Sequence, residues 1–263
     1  MSPIGSIKKT CDLISSPGQV VEVRAFRKRG VSSGYFTDYG KLAEKVAMLD
    51  ADPEYSGIYL TLNEINPDLL ARRSNRFEMR LGDKERTTSD DDILSRRWFP
   101  IDIDPKRPSG ISSSDEEHEK ALRKAEQVRQ FLSERGWPEP ISADSGNGAH
   151  LLYPISLPND GESCALIKSC LSVLSMFFSD DDSDVDTSVS NAARIWKLYG
   201  TISRKGDSTQ GRPHRRSSIL HVPDTLEIVS PSLLTSLASL LSEQPEKKTE
   251  PKTSTRSSVA DLG

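Results

Sequence analysis

Trp98-Phe99-Pro100-Ile101-Asp102-Ile103-Asp104-Pro105 alternates apolar and acidic side chains at the period of a β-strand. Phe99, Ile101 and Ile103 fall on one face, Asp102 and Asp104 on the other. Two carboxylates about 7 Å apart along a strand repel unless a proton or a cation lies between them. A hard divalent ion such as Mg²⁺ or Mn²⁺ takes oxygen ligands, and a pair of such ions can clamp the oxygens of a transferring phosphoryl group. The alternative is a half-exposed strand with two solvated aspartates. The rest of the sequence has to decide between the two.

The 263 residues are 35% apolar and 28% charged, which fits a soluble globular protein of one large domain or two small ones. No apolar run approaches the roughly 20 residues of a membrane span, and the N-terminus has no signal-peptide pattern, so no membrane partner and a cytoplasmic location are expected. Cys11, Cys164 and Cys170 are odd in number and scattered, as free thiols in a reducing compartment would be. Neither they nor the four histidines have zinc-ligand spacing. The net charge of −4 argues against nucleic acid, but its distribution argues the other way. From Arg194 to Arg216 there are seven basic residues (Arg194, Lys197, Arg204, Lys205, Arg212, Arg215, Arg216) against Asp207 alone, so this stretch is +6 and the remainder −10. Such a patch on an acidic protein is either the footprint of a phosphate-bearing ligand or a solvated basic loop.

Around the central strand, the patterning is that of an α+β protein. Residues 1–17 lack periodicity and are expected to be loosely held. Strands are predicted over 19–26 and 57–62, a helix over 38–49, and a short helix opened by Asn66-Pro67. Thr88-Ser89-Asp90-Asp91-Asp92 is a helix-start signal. After Asp104, Ser113 or Ser114 caps a helix running to about Arg135, with Glu116 or Glu117 completing a capping box and Gly136 ending it. His118 falls on its polar side and reads as a surface histidine. Residues 140–145 and 149–155 are strands joined at Asn147-Gly148, a strong hairpin signal. Ser145-Gly146-Asn147-Gly148-Ala149-His150 thus groups a hydroxyl, a glycine-rich turn and an imidazole. Its amides could cradle a phosphate and His150 could donate to one, unless the hairpin is plain and His150 merely packs on the sheet. Residues 162–178 form a core helix. The acidic run Asp180–Asp186 is no EF-hand loop: counted from Asp180, the sixth position is Val185 and the twelfth Asn191. Asp186 stands apart, following Val185 at the entry to the next ordered segment. A strand is predicted near 218–222 and a short helix over 231–241. From 243 to 263 the chain is a disordered tail or a linker by composition.

Asp-x-Asp on a strand, Ser-x-x-x-x-His at a hairpin and a hydrophobic-Asp before an Arg-rich segment, in this order, resemble the archaeo-eukaryotic primase superfamily, and within it the primase-polymerase proteins of phages, plasmids and CRISPR-linked loci. The stretch Ala193-Arg194-Ile195 through Gly200-Thr201 to Arg204-Lys205-Gly206 is similar to one of that subgroup. The resemblance covers roughly 95–220, with a less specific match over 20–95. It implies an RRM-like catalytic β-sheet flanked by helices, fused to an N-terminal αβ module, divided as 1–17, 18–95, 96–242 and 243–263. It implies Mg²⁺ or Mn²⁺ on Asp102, Asp104 and Asp186, with Asp184 a near competitor for the third place. Ser145, Gly146, His150, Arg194, Lys197, Arg204 and Lys205 would meet the incoming nucleotide. Arg212, His214, Arg215 and Arg216 would meet nucleic acid. The Ser-to-His spacing is wider here than the simple Ser-x-His pattern.

The expected function is a DNA primase-polymerase that takes nucleoside triphosphates and a single-stranded or primed DNA template, with a helicase or another replication domain as a possible partner. A catalytically inactive replication initiator or single-strand binder is the rival from another class, and a metal-dependent nuclease is a third reading.

Overall fold

The chain opens with a helix, α1 (Pro3–Ile14), started by the Ser2 side chain, which accepts from the Gly5 amide, and by Pro3 in its first turn. Ile7, Thr10, Cys11 and Ile14 are buried. The reading of residues 1–17 as loosely held is therefore corrected. One stripe at 3–4 spacing, inconspicuous among Ser, Lys and Gly, suffices once a surface is there to cover it.

Then come β1 (Val21–Arg27), β2 (Val31–Phe36), α2 (Tyr39–Ala51), β3 (Tyr55–Thr61), β4 (Glu64–Ile65), a 3₁₀ turn at Pro67–Arg72 and β5 (Arg76–Glu78). After a second 3₁₀ turn at Asp90–Asp92, the long strand β6 (Ile93–Pro105) leads to α3 (Asp115–Ser133), β7 (Ile141–Asp144), β8 (Ala149–Pro158) and α4 (Gly161–Phe178). The chain ends in β9 (Ser183–Val185), a third 3₁₀ turn at Thr187–Ser190, β10 (Ile195–Lys197), β11 (Ile202–Ser203), β12 (Arg215–Arg216), β13 (Ser218–His221) and α5 (Pro231–Ser239). This computed structural model describes residues 2–82 and 84–241. The tail read at 243–263 lies outside the described residues.

The fold is α+β, with antiparallel sheets and flanking helices, as expected. One sheet has the order β10-β3-β1-β2-β5; a second is β13-β7-β8-β6-β4, with β9 also pairing to β6, and β11 and β12 form a separate two-stranded pair. The sheets do not respect a boundary at residue 95. β10 pairs with β3 in the first sheet, and β4 pairs with β6 in the second. One buried cluster contains Val21 and Leu60 together with Phe99 and Leu174. The segments 18–95 and 96–242 therefore share both sheets and core.

β6 carries the site. Its Phe99, Ile101 and Ile103 are fully buried. Pro100 lacks an amide hydrogen and would break a ladder on both sides. It is tolerated because β4 pairs β6 only up to Ser95 and β9 only from Ile103, leaving β8 as the sole neighbour between. α3 starts at Ser114, which exchanges side-chain and backbone hydrogen bonds with Glu117 in a full capping box. Its Ala121, Ala125, Val128 and Leu132 are buried. By length and composition α4 could cross a membrane, which the sequence reading did not anticipate. In this fold Ile167, Cys170, Leu171, Val173 and Leu174 of that helix belong to the core.

Candidate active site

Asp102 is the cross-strand partner of His150, so both project from the same face of the sheet. On the other side, Asp104 lies opposite Asp184 of β9. The β7–β8 hairpin and the short β9 thus flank the Asp102/Asp104 strand, but the strand after Asp186, expected beside it in the same sheet, is β10 and pairs with β3 in the other one. From across the cleft the first sheet contributes Tyr59 of β3 and Trp196 and Lys197 of β10. Together these residues line a cavity of about 490 Å³, within the size range of small-molecule sites.

His150 is fixed on three sides. Its ring lies 4.1 Å from the Trp196 ring, centroid to centroid. Its Nδ1 is 2.9 Å from the Tyr199 hydroxyl, and its Nε2 is 3.3 Å from Asp102 Oδ1. The Trp196 Nε1–H donates to that same hydroxyl oxygen at 2.8 Å. An indole can only donate, and the hydroxyl oxygen keeps a second lone pair, so His150 Nδ1 can either accept the Tyr199 hydrogen or donate to that oxygen. In either case Nε2 faces Asp102. These buried groups fix the orientation of the His150 ring.

The two aspartates are driven apart electrostatically. Burial works against a charge on Asp102, but the attraction and hydrogen bond of His150, aided by Lys205 and Arg194, outweigh it and hold the carboxyl below its ordinary value. Asp104 moves upward, first through burial and then through the Asp102 charge, against the pull of Lys205 and Arg107. Arg107 approaches Asp104 Oδ1 only at 3.4 Å. One carboxylate is settled; the other still lacks sufficient counter-charge.

Asp186 lines the same cavity, whereas Asp184 is 54% exposed and pairs with Lys106. Of the two competitors for the third carboxylate, Asp186 is thus the one at the site. Its Oδ1 and Oδ2 cap the following turn, accepting from the Ser188 amide at 2.8 Å and the Ser188 hydroxyl at 3.0 Å. Each carboxylate oxygen has a second lone pair, so the cap leaves ligand capacity. Among the described residues no three His, Cys, Asp or Glu side chains form a ready-made metal cage. The donor set nonetheless fits Mg²⁺ or Mn²⁺, which bind through one or two carboxylates with water and substrate phosphate filling the rest. Asp102 and Asp104 would hold it, with Asp186 in reach of the same space.

No family model matches the chain, and no curated protein matches it. Two solved structures are similar. One is described as the crystal structure of primase RepB′: 10% identity, 91% of this chain and 63% of that one covered, TM-score 0.48. The other is the catalytic domain of primase Repb′ in complex with initiator DNA: 10% identity, 92% and 96% covered, TM-score 0.47. The chain thus spans less than two thirds of the first. At this identity neither likeness says which residues act.

The sequence-predicted nucleotide-binding residues divide. Ser145, His150, Arg194, Lys197, Arg204 and Lys205 line the cavity. Gly146 does not; it adopts φ 92° behind the hairpin, where an added Cβ would lie 2.8 Å from the Ser203 hydroxyl. The hairpin amides are not free for phosphate. Gly148 donates to Ser145 Oγ at 2.9 Å and Gly146 to Asp144 Oδ1 at 2.6 Å. Gly148 itself packs so closely on the Ile103 carbonyl that no Cβ fits. Arg194 donates to the Ser188 carbonyl. Lys197 is buried, donates to the Ile202 carbonyl at 2.9 Å, and desolvation pulls its pKa down to about 7.

The residues expected to meet nucleic acid are engaged within the fold. Arg212 forks onto Glu117 at 2.7 and 2.8 Å, Arg215 reaches Asp115 at 2.6 Å, and Arg216 reaches Asp50 at 2.7 Å. His214 Nε2 lies 2.9 Å from the Gly206 carbonyl. His118, read as a surface histidine, is 2.8 Å from Asp144 and only 12% exposed.

Three residues that shape the site and its walls escape sequence reading. Tyr199 and Trp196 orient His150 but lie nearly fifty positions from it. Asp50, 3% exposed, receives Arg216 and the Ile202 amide at 2.8 Å, with Arg204 3.6 Å away. An Asp inside an amphipathic helix face is the only signal, and it is a faint one.

Proposed function

We propose that this chain catalyses template-directed nucleotidyl transfer, as a DNA primase-polymerase using Mg²⁺ or Mn²⁺ and nucleoside triphosphates. The observation that carries this reading is the Asp102/Asp104 pair. The two acids share one face of a central strand and face a cavity of ligand size; Asp104 keeps incomplete charge compensation, while cations rim the same cavity. A bound divalent ion would supply charge neutralisation for the carboxylates and for the oxygens of a pentavalent phosphoryl group.

The chain's own residues have distinct tasks. Asp102 and Asp104 hold the ion and fix its position on a buried strand. His150, oriented by Tyr199 with Nε2 toward Asp102, would donate to a phosphate oxygen once a bound ion engages that carboxylate instead. Lys197 and Lys205 attract the triphosphate; Lys197, pulled to about 7 without an anion, regains its proton when phosphate supplies counter-charge. Trp196 and the second sheet keep water from the inner wall.

The test is extension of a primed DNA template by the full chain with Mg²⁺ or Mn²⁺ and deoxynucleotides, alongside an unprimed template with all eight nucleotides. Product longer than the primer, or synthesis without a primer, is the expected result. Shortening of labelled DNA in the absence of nucleotides would make the chain a nuclease. DNA binding with no nucleotide binding in calorimetry would make it a binder.

A further inference from the structure

The strand β1 ends in Arg27-Lys28-Arg29-Gly30, and the turn closes with Gly30 at φ 98° while the Arg27 amide donates to the Gly30 carbonyl at 3.1 Å. Arg80, on the segment alongside β2, is held by backbone: its amide donates to Ser32 Oγ at 3.4 Å, and the Leu81 amide to the Val31 carbonyl at 2.8 Å. These residues line a groove of about 1010 Å³ that shares Arg27, Ser56 and Arg204 with the catalytic cavity. The groove is an extension of the cleft, twice its volume and opening from the same wall.

Its charges are unlike those of the 212–216 segment. Arg27 is engaged by Asp52 at 3.2 Å and Glu54 at 3.6 Å, and Arg204 by Asp50. Lys28, Arg29 and Arg80 are exposed, and among the described residues no hydrogen bond or ion pair holds their side chains. The acids lining the groove are Glu54, already facing Arg27, and Asp207. Where groove and cavity meet, Phe26 and Tyr59 stand edge to face at 5.6 Å on the cavity wall. Unneutralised cations on a fixed rim, with aromatic rings at the inner end, are what a single-stranded polynucleotide needs: charges along its backbone and faces for its bases.

We infer that the groove rimmed by Lys28, Arg29 and Arg80 is the track for single-stranded nucleic acid, the template leading into the Asp102/Asp104 cavity. This rests on the nucleotidyl-transfer reading for its direction. It moves the polynucleotide contact away from Arg212, Arg215 and Arg216, whose guanidinium groups are engaged by Glu117, Asp115 and Asp50.

Fluorescence anisotropy with a labelled oligothymidylate, on the full chain, tests it across a salt series. The triple variant Lys28→Ala/Arg29→Ala/Arg80→Ala should bind at least tenfold more weakly at low salt. Its log K against log salt slope should be shallower by about 2, three contacts at roughly 0.7 each. Its binding of dATP with Mn²⁺, followed by calorimetry, should equal wild type. An unchanged affinity and slope, or a wild type that binds no oligothymidylate, overturns the inference. An equal loss of dATP binding also overturns it, because the groove would then belong to the triphosphate. Groove-dependent strand binding by a chain that incorporates no nucleotide would sink the enzymatic reading and leave the track standing. All three residues are exposed, so the variant keeps its core.

Discussion

Asp50 and the Asp102/Asp104 pair are two acidic clusters on opposite sides of the same basic segment, and the fold treats them differently. Asp50 is 3% exposed and answered in full: Arg216 at 2.7 Å, the Ile202 amide at 2.8 Å, Arg204 close by. Asp102 has His150, and Asp104 has Arg107 at 3.4 Å and the pull of Lys205, yet its carboxyl is still raised by burial and by the Asp102 charge. A buried acid whose counter-charges come from the protein holds the protein together. An acid left short of counter-charge beside a cavity is waiting for a ligand to supply it. Residue type does not distinguish the two; the inventory of partners does.

The comparison makes opposite demands on the two clusters. Asp104→Asn should cost roughly 4 kcal/mol of transition-state stabilisation, about a thousandfold in nucleotide incorporation. Its melting temperature should stay level or rise, since like-charge repulsion is relieved. A variant that melts early, or extends primers at the wild-type rate, breaks the contrast. Asp50→Asn should do the reverse. It strands Arg204 and Arg216, at about 3–5 kcal/mol of stability, or a drop of roughly 6–20 °C for a chain of this size. A thermal shift under 2 °C would make Asp50 a poor example of a structural acid.

The relay behind His150 sharpens the picture. His150→Ala removes a donor to a charged group and should weaken nucleotide use ten- to a hundredfold. Tyr199→Phe removes the neutral hydrogen bonds to His150 and from Trp196, and the loss of the one to His150 should cost between about two- and tenfold in nucleotide use. A shift of the His150 ring nitrogens in ¹⁵N spectra, with the fold unchanged by circular dichroism, would mark it as a positioning effect. If Tyr199→Phe changes neither rate nor spectrum, the relay is only packing.

Lys197 gives a prediction of another kind, in the pH dependence of stability. Its pKa of about 7 lies below the unfolded value of 10.5. Between these values the unfolded chain binds more protons, so this group makes stability rise with pH across that window, by at most about 1.4 kcal/mol per unit. Below about pH 7 the full cost of burying the charge is present. Lys197→Met should flatten the rise in melting temperature between pH 7 and 10, and parallel profiles would refute it.

Much of this was legible because it is local. The alternation of β6, the capping box at Ser114 and Glu117, and the Asn147-Gly148 turn each depend on residues a few positions apart. β2 was not legible: the sequence reading placed no strand there, yet its Ser32 and Ser33 are fully buried, Ser33 donating to Glu22 at 2.5 Å and Ser32 3.1 Å from the Tyr55 hydroxyl. Polar strands are readable only when their partners are known. The basic segment was legible as charge but not as use, since Arg212 and Arg215 meet acids about a hundred positions earlier. The same distance hid Tyr199 and Asp50. The carboxylates, His150 and the basic residues named from the order of the motifs do come together along one cavity, because the resemblance rests on short stretches whose residues can be read in place.

The docking of α1 has a consequence for the order in which the protein is made. Thr10 donates to the Tyr199 carbonyl, 189 positions downstream, and Ser6 and Ile7 lie against Gly200. At about 5–20 residues per second on the ribosome, the first helix waits roughly 10–40 s for the surface that covers it. Through the same interval β3 lacks β10 and presents an unpaired edge, the form in which strands recruit wrong partners. The nascent chain is therefore most exposed to misassembly just before residues 195–200 emerge. Those residues close the first sheet, seat α1 and bring Tyr199 to His150 in a single stretch, so His150 is oriented only when the fold is nearly complete.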